Sequence, residues 1–225
     1  MIDMLIFDEN TAKAEYDTCE KKDYLKDLQK IIIESKTPLE GNSFYFHNSL
    51  QVYYELYSKQ VNLFWCGKQA TKICEIGFNA GHSVLLMLLG RDKTPIDITI
   101  FDIGEHAYTR PCLEYMKAKF EHVNFEYIEG DSTVIMPTWI ADNICVGLYD
   151  VVHVDGGHSE HCITNDMKNA DVLVKEDGIL IVDDTNCEHI NKCVDNYISS
   201  GRYVELNLLK TSGYPHRVIQ KIAKI

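Results

Sequence analysis

The sequence predicts an α/β fold in which an open, mostly parallel sheet carries helices on both faces, follows an N-terminal helical cap and closes with an antiparallel hairpin. Three observations predict it. From residue 72 short apolar runs alternate with stretches of helical period, the pattern of a parallel sheet built from βα units. The last two apolar runs, 203–209 and 217–222, are joined by Lys-Thr-Ser-Gly-Tyr-Pro and little else, too short for a parallel crossover. Before residue 65 only helical spacings occur, so we divide the chain into a cap over 1–64 and a sheet domain over 65–225.

In chain order, Tyr24, Leu25, Leu28, Ile31 and Ile32 predict one amphipathic helix within 11–36, which Pro38 and Gly41 end. Asn48 or Ser49 is expected to cap a second helix, whose Leu50, Tyr53, Tyr54, Leu56, Tyr57, Val61 and Phe64 form an aromatic core surface. Residues 72–83, Lys-Ile-Cys-Glu-Ile-Gly-Phe-Asn-Ala-Gly-His-Ser, read as strand, glycine-bearing turn and helix start, with Val84 to Leu89 continuing the helix until Gly90. Strand two is expected over 96–102. Leu113, Met116 and Phe120 then line a helix, and strand three covers 123–128. Strand four covers 149–154, Ile163, Met167, Ala170 and Val174 line the next helix, strand five covers 178–182, and Ile190, Val194 and Ile198 mark the last helix. There is no internal repeat.

Composition narrows the function classes. The 225 residues suit one domain with an elaboration, and 45% hydrophobic with 25% charged residues describe an ordinary globule. Acidic residues outnumber basic ones 34 to 22, and the net charge of -12 repels nucleic acid and anionic membrane. The start has no basic segment, and no apolar run approaches the ~20 residues of a membrane span, so the expected location is cytoplasmic. The eight cysteines form no Cys-x-x-Cys and read as reduced, small hydrophobes.

Open α/β sheets bind ligands at the carboxyl ends of their strands, and here all five strands end in acid. Glu75 closes the first, Asp102 the second, Asp131 follows the third, Asp155 ends the fourth, and Asp183 with Asp184 ends the fifth. Gly77 and Gly81 make the first turn a ligand cradle, but it lacks the third glycine of a dinucleotide fingerprint and the Gly-Lys-Ser/Thr of a phosphate loop. Glu75 suits a cationic ligand, and Asp102 stands where an acid reaches ribose hydroxyls. If strands four and five are neighbours, Asp155, Asp183 and Asp184 converge, and a divalent cation such as magnesium would relieve their repulsion. Removing any one of them should then leave the metal-free fold at least as stable. Asp184 as a helix cap and Asp155 as a turn residue remain alternatives.

Glu-x-Gly-x-x-x-Gly at the end of a first strand resembles the first motif of class I S-adenosylmethionine-dependent methyltransferases. The resemblance implies their Rossmann-like sheet and S-adenosylmethionine as cofactor, held by Glu75, Gly77, Asn79, Gly81, Ser83, Asp102, Asp131, Ser132 and Asp155, with Asp131 and Ser132 at the adenine. The aspartate of strand four and the acid pair of strand five are similar to metal-dependent small-molecule O-methyltransferases of the catechol and caffeoyl-coenzyme A types. Val-Asp-Gly-x-His with Asp-Asp resembles most closely the macrocin-type sugar O-methyltransferases, the "methyltransferase 24" group.

This implies Mg2+ or another divalent cation on Asp155, Asp183 and Asp184 and a small-molecule acceptor; whether the chain is a homo-oligomer stays open. Asp155 and His158 become the candidate catalytic residues, His158 standing where the catechol type has a lysine base. His153 reads as structural. The resemblance spans 72–186 and leaves three other readings open: metal-independent methylation with Asp183 and Asp184 on the acceptor, a non-catalytic binding protein of this fold, and an NAD-dependent oxidoreductase.

Overall fold

Buried on both faces, β1 (Lys72–Ile76) is the third strand of a seven-stranded sheet of order β3-β2-β1-β4-β5-β7-β6. In the computed structural model, which describes residues 7–46, 49–68 and 70–223, the remaining strands are β2 (Ile96–Asp102), β3 (Val123–Glu129), β4 (Tyr149–Val154), β5 (Val174–Val182), β6 (Tyr203–Glu205) and β7 (Arg217–Lys221). The first five run parallel, β7 pairs antiparallel with β5, and β6 with β7. Strand order reverses between β1 and β4, so a crevice opens at their carboxyl ends.

The helices are α1 (Glu9–Thr18), α2 (Lys21–Ser35), α3 (Tyr57–Gly67), α4 (His82–Leu89), α5 (Thr109–Lys119), α6 (Ser132–Asn143), α7 (Glu160–Leu173) and α8 (Glu188–Ser199). Alternate strand residues divide the core. Ile73, Ile98, Ile100, Val151 and Ile181 face α1 to α5, while Cys74, Ile76, Val152, Val154, Leu180 and Val182 face α6, α7 and α8.

Several expectations change. The single helix over 11–36 is two helices, because α1 packs on α3 whereas α2 packs on α5, and one straight rod cannot serve both. The break at Cys19 and Glu20 is held by the Lys21 ammonium, which donates to the Tyr16 carbonyl and caps α1. Ser49 does not cap α3: its hydroxyl serves the turn from Phe46 to Gln51, a short 3-10 turn over Tyr54–Leu56 leads into α3 instead, and Asn48 lies outside the described residues. Val174 opens β5 rather than ending α7, and the register then shifts, because the five steps of β5 from Val174 to Ile179 lie against only two of β4, from Tyr149 to Val151. The expected strand frays after Leu206, whose N–H still donates to the Val218 carbonyl, because the Asn62 side chain of α3 binds both the N–H and the carbonyl of Leu209.

The helix that matters most for the crevice is α3, and residue 64, the expected limit of the cap, lies inside it. Gly67 meets α4 backbone to backbone. A Cβ there would stand 2.2 Å from the Met87 carbonyl oxygen, so only glycine allows this approach. Lys59 to Gly67 are consequently all buried, the lysine included.

Candidate functional site

The crevice is a cleft of about 550 Å3 that runs from the β1–α4 turn, past the ends of β4 and β5, to residues 40–43 and Tyr214. Gly77 turns with φ 92°, and a Cβ there would lie 2.0 Å from the carbonyl oxygen of Asp155. The close approach that requires this glycine is thus to the end of β4. The turn is held from β2, since Asp102 accepts the N–H groups of Phe78 and Asn79 at 2.8 Å each and that of Gly104 at 2.7 Å. Asn79 ties it to the cap by donating to the Glu40 carbonyl. Glu75 lies fully buried beneath, accepting from the Ser83 hydroxyl and facing His153 Nδ1 at 3.0 Å. Asp131 caps α6, with its carboxylate on the Thr133 N–H at 2.9 Å, and Ser132 opens that helix at the rim of the cleft.

Strand register explains the second cluster. His153 pairs with Glu75 across β1 and β4, and the period of two puts Asp155 on the same face, one step nearer the crevice, as it does Asp183 beyond Ile181. Donor atoms of His153, Asp155 and Asp183 lie within 4.8 Å of one another, and so do those of Asp155, His158 and Asp184. His158 Nε2 stands 2.8 Å from Asp184, which sits at φ 52°. Asp184 does not cap α8, whose N-cap residue is Cys187 without a side-chain bond.

Two cations answer these carboxylates. The Lys59 ammonium donates to Asp183 Oδ2, with both side chains buried, and Asp183 Oδ1 has no partner among the described residues. Burial opposes the charge on Lys59, but Asp183 and Asp155 outweigh it and raise its pKa. Burial likewise opposes ionised Asp183, yet Lys59 and His153 hold its pKa down. His153 resists burial through Glu75 and rises to about 9, so it is charged at neutral pH. Asp155 is pushed well up, first by burial and then by Asp183. The hydrogen bond to Asp184 raises His158. His216, against Asn62 at 3.0 Å, is lowered to about 3 by burial and stays neutral.

The structure thus brings Gly77, Asn79, Ser83, Asp102, Asp131, Ser132, Asp155, His158, Asp183 and Asp184 to one cleft, while Glu75 lies beneath its floor and Gly81, expected with them, does not line it but packs against Phe78 and Met116. The sequence reading missed Lys59 and the part played by His153. Both left a signal: a lysine inside an otherwise buried helix, and a histidine two residues before Asp155 on one strand face.

Comparison with known proteins agrees with this geometry. Residues 74–185 match the family model of a methyltransferase domain. Over these residues the chain carries a methyltransferase domain. An O-methyltransferase from Bacillus cereus, solved in complex with SAH, is similar in fold with TM-score 0.66 at 15% identity, over 95% of this chain and 97% of that one. The O-methyltransferase TomG of Streptomyces achromogenes, involved in tomaymycin synthesis and solved with SAM, gives TM-score 0.59 at 14% identity, over 97% of this chain and 100% of that one. No curated protein matches the methyltransferase chain in sequence. Among the described residues no helix of the methyltransferase is long and apolar enough to cross a membrane.

Proposed function

We propose that the enzyme transfers the methyl group of S-adenosylmethionine to a hydroxyl oxygen of a small molecule, assisted by a divalent cation such as magnesium. The observation that carries this reading is the meeting of Asp155, His158 and Asp184 within 4.8 Å of one another beside the Gly77 turn. S-adenosylmethionine would lie along Gly77, Asn79, Asp102, Asp131 and Ser132, with its sulfonium end toward Asp155. Glu75 and Ser83, bonded to each other, support the turn from below. The acceptor would enter between His158, residues 40–43 and Tyr214. Eight free cysteines support action in the reducing cytoplasm.

The donor set fits a hard cation, because Asp155 shares one cluster with His153 and Asp183 and another with His158 and Asp184, and the buried Asp183 Oδ1 has no hydrogen-bond partner among the described residues. Asp155, Asp183 and Asp184 would hold the ion, which would supply a Lewis acid for the acceptor hydroxyl. The chain's own residues do the rest. Asp184 orients the His158 ring at Nε2, leaving Nδ1 to take the hydroxyl proton. The acceptor oxygen then forms its bond to the methyl carbon as the carbon–sulfur bond breaks, and the electron pair stays on the sulfur of S-adenosylhomocysteine. The cleft aligns oxygen and methyl and excludes water.

Labelled methyl transfer from S-adenosylmethionine to a panel of phenols, catechols and sugars, with and without chelator, tests the reading. Oxygen methylation that chelator abolishes and magnesium restores is expected. Methylation confined to nitrogen or sulfur acceptors, or indifferent to chelator, contradicts it.

A further inference from the structure

Lys59 sits 2% exposed on a helix outside the matched domain, yet its ammonium reaches the carboxylates at the end of β5. A buried ammonium persists only with a partner, and here the partner is Asp183. The helix cannot withdraw it. Gly67 at one end of α3 lies on the Met87 backbone, and Gly90 after α4 lies on the Phe64 carbonyl, where a Cβ would stand at 2.0 Å. Only the four-carbon side chain of Lys59 is therefore free to move. Behind Asp183 stands the second buried cation, His153, fixed to Glu75. An ion arriving at Asp183 would find one oxygen already bound by an ammonium and the other, buried, without a hydrogen-bond partner among the described residues.

We propose that Lys59 is a tethered cation that competes with the divalent metal for Asp183, so that full metal binding displaces the lysine and metal affinity is set by a residue of the N-terminal helices. This rests on the metal-assisted reading above and deepens it. The competition follows from charge: a fixed ammonium and a divalent ion sharing one carboxylate repel each other strongly in a partly desolvated site. Loss of the ammonium leaves Asp183 with only His153 and the metal to neutralise it. The lysine thereby keeps the apo site intact at the expense of metal affinity.

The test is calorimetric titration of Mn2+ into the wild-type protein, Lys59→Met and Lys59→Gln, the last retaining a hydrogen-bond donor without the charge. Both variants are expected to bind Mn2+ at least about tenfold more tightly than wild type. Equal or weaker binding by either folded variant overturns the competition and leaves the metal site standing. Absence of Mn2+ binding in all three proteins overturns the metal reading itself. A second measurement needs no variant: the Lys59 ammonium, observed by nitrogen-15 NMR in the wild-type protein, should exchange slowly with water in chelator and quickly at saturating Mg2+. A signal that stays slow in Mg2+ overturns the displacement.

Discussion

Asp183→Ala should destabilise the metal-free enzyme strongly, whereas Asp155→Ala should not. Crowded carboxylates alone would make every such variant at least as stable as the parent, but the structure separates the two residues. Asp183 is the hydrogen-bonded partner of buried Lys59, and removing one member of such a pair leaves an uncompensated charge at a cost of about 3–5 kcal/mol. At roughly 2–4 °C per kcal/mol for a chain of this length, the melting temperature in chelator should fall by about 6–20 °C. Asp155 is pushed toward protonation by burial and by Asp183, so its removal relieves strain and should leave the melting temperature unchanged or slightly higher. The double variant Lys59→Met with Asp183→Leu should recover most of the loss, since an apolar pair of similar volume replaces the ion pair. Thermal scans in chelator decide it. Equal behaviour of Asp183→Ala and Asp155→Ala would refute the assignment of Lys59 to Asp183.

Other consequences concern the cofactor turn, the base and a buried acid. Asp102→Ala removes the acceptor of three backbone N–H groups and should cost about 3 kcal/mol in urea melts, with S-adenosylhomocysteine binding lost; unchanged melts would take Asp102 out of the turn. His158→Gln should lower methyl transfer by about 100-fold or more while binding of S-adenosylhomocysteine is retained, and a full-speed variant would remove His158 as base. Asp166 on α7 is buried without a hydrogen-bond partner for either oxygen among the described residues, and burial raises it to about 6 despite the nearby Ser132 hydroxyl. Because the folded form binds its proton more tightly than the unfolded one, stability should fall as pH rises from about 4 to 6. Asp166→Asn should abolish that slope and gain about 2–3 kcal/mol at pH 7, read from urea melts across the range.

The limits of β2 and β4 could be read residue by residue, because both are dominated by β-branched and aromatic residues, interrupted only by Asp97 and Thr99 in one and by Asp150 and His153 in the other, with an aspartate closing each. The break between α1 and α2 could not, as no glycine or proline marks it and only the separate partners α3 and α5 impose it. The strand-end carboxylates were legible for a related reason: position on a parallel strand fixes which end of the sheet a residue reaches. Asp102 was legible as a site residue but not as the clamp on the Gly77 turn, since that depends on how the turn folds back over β2. Lys59 escaped because its partner lies 124 residues away, on an element whose place against α4 only packing decides. The carbonyl of Asp155 over Gly77 belongs to the same class, a contact between loops.

The cofactor claim is tested most directly by titrating S-adenosylhomocysteine into the purified enzyme, by calorimetry and by thermal shift. One molecule should bind per chain, with or without chelator. At a hundred times its dissociation constant it should add ~2.7 kcal/mol, or roughly 5–10 °C. No heat and no shift with S-adenosylhomocysteine or S-adenosylmethionine, alongside a shift with NAD, would contradict the account.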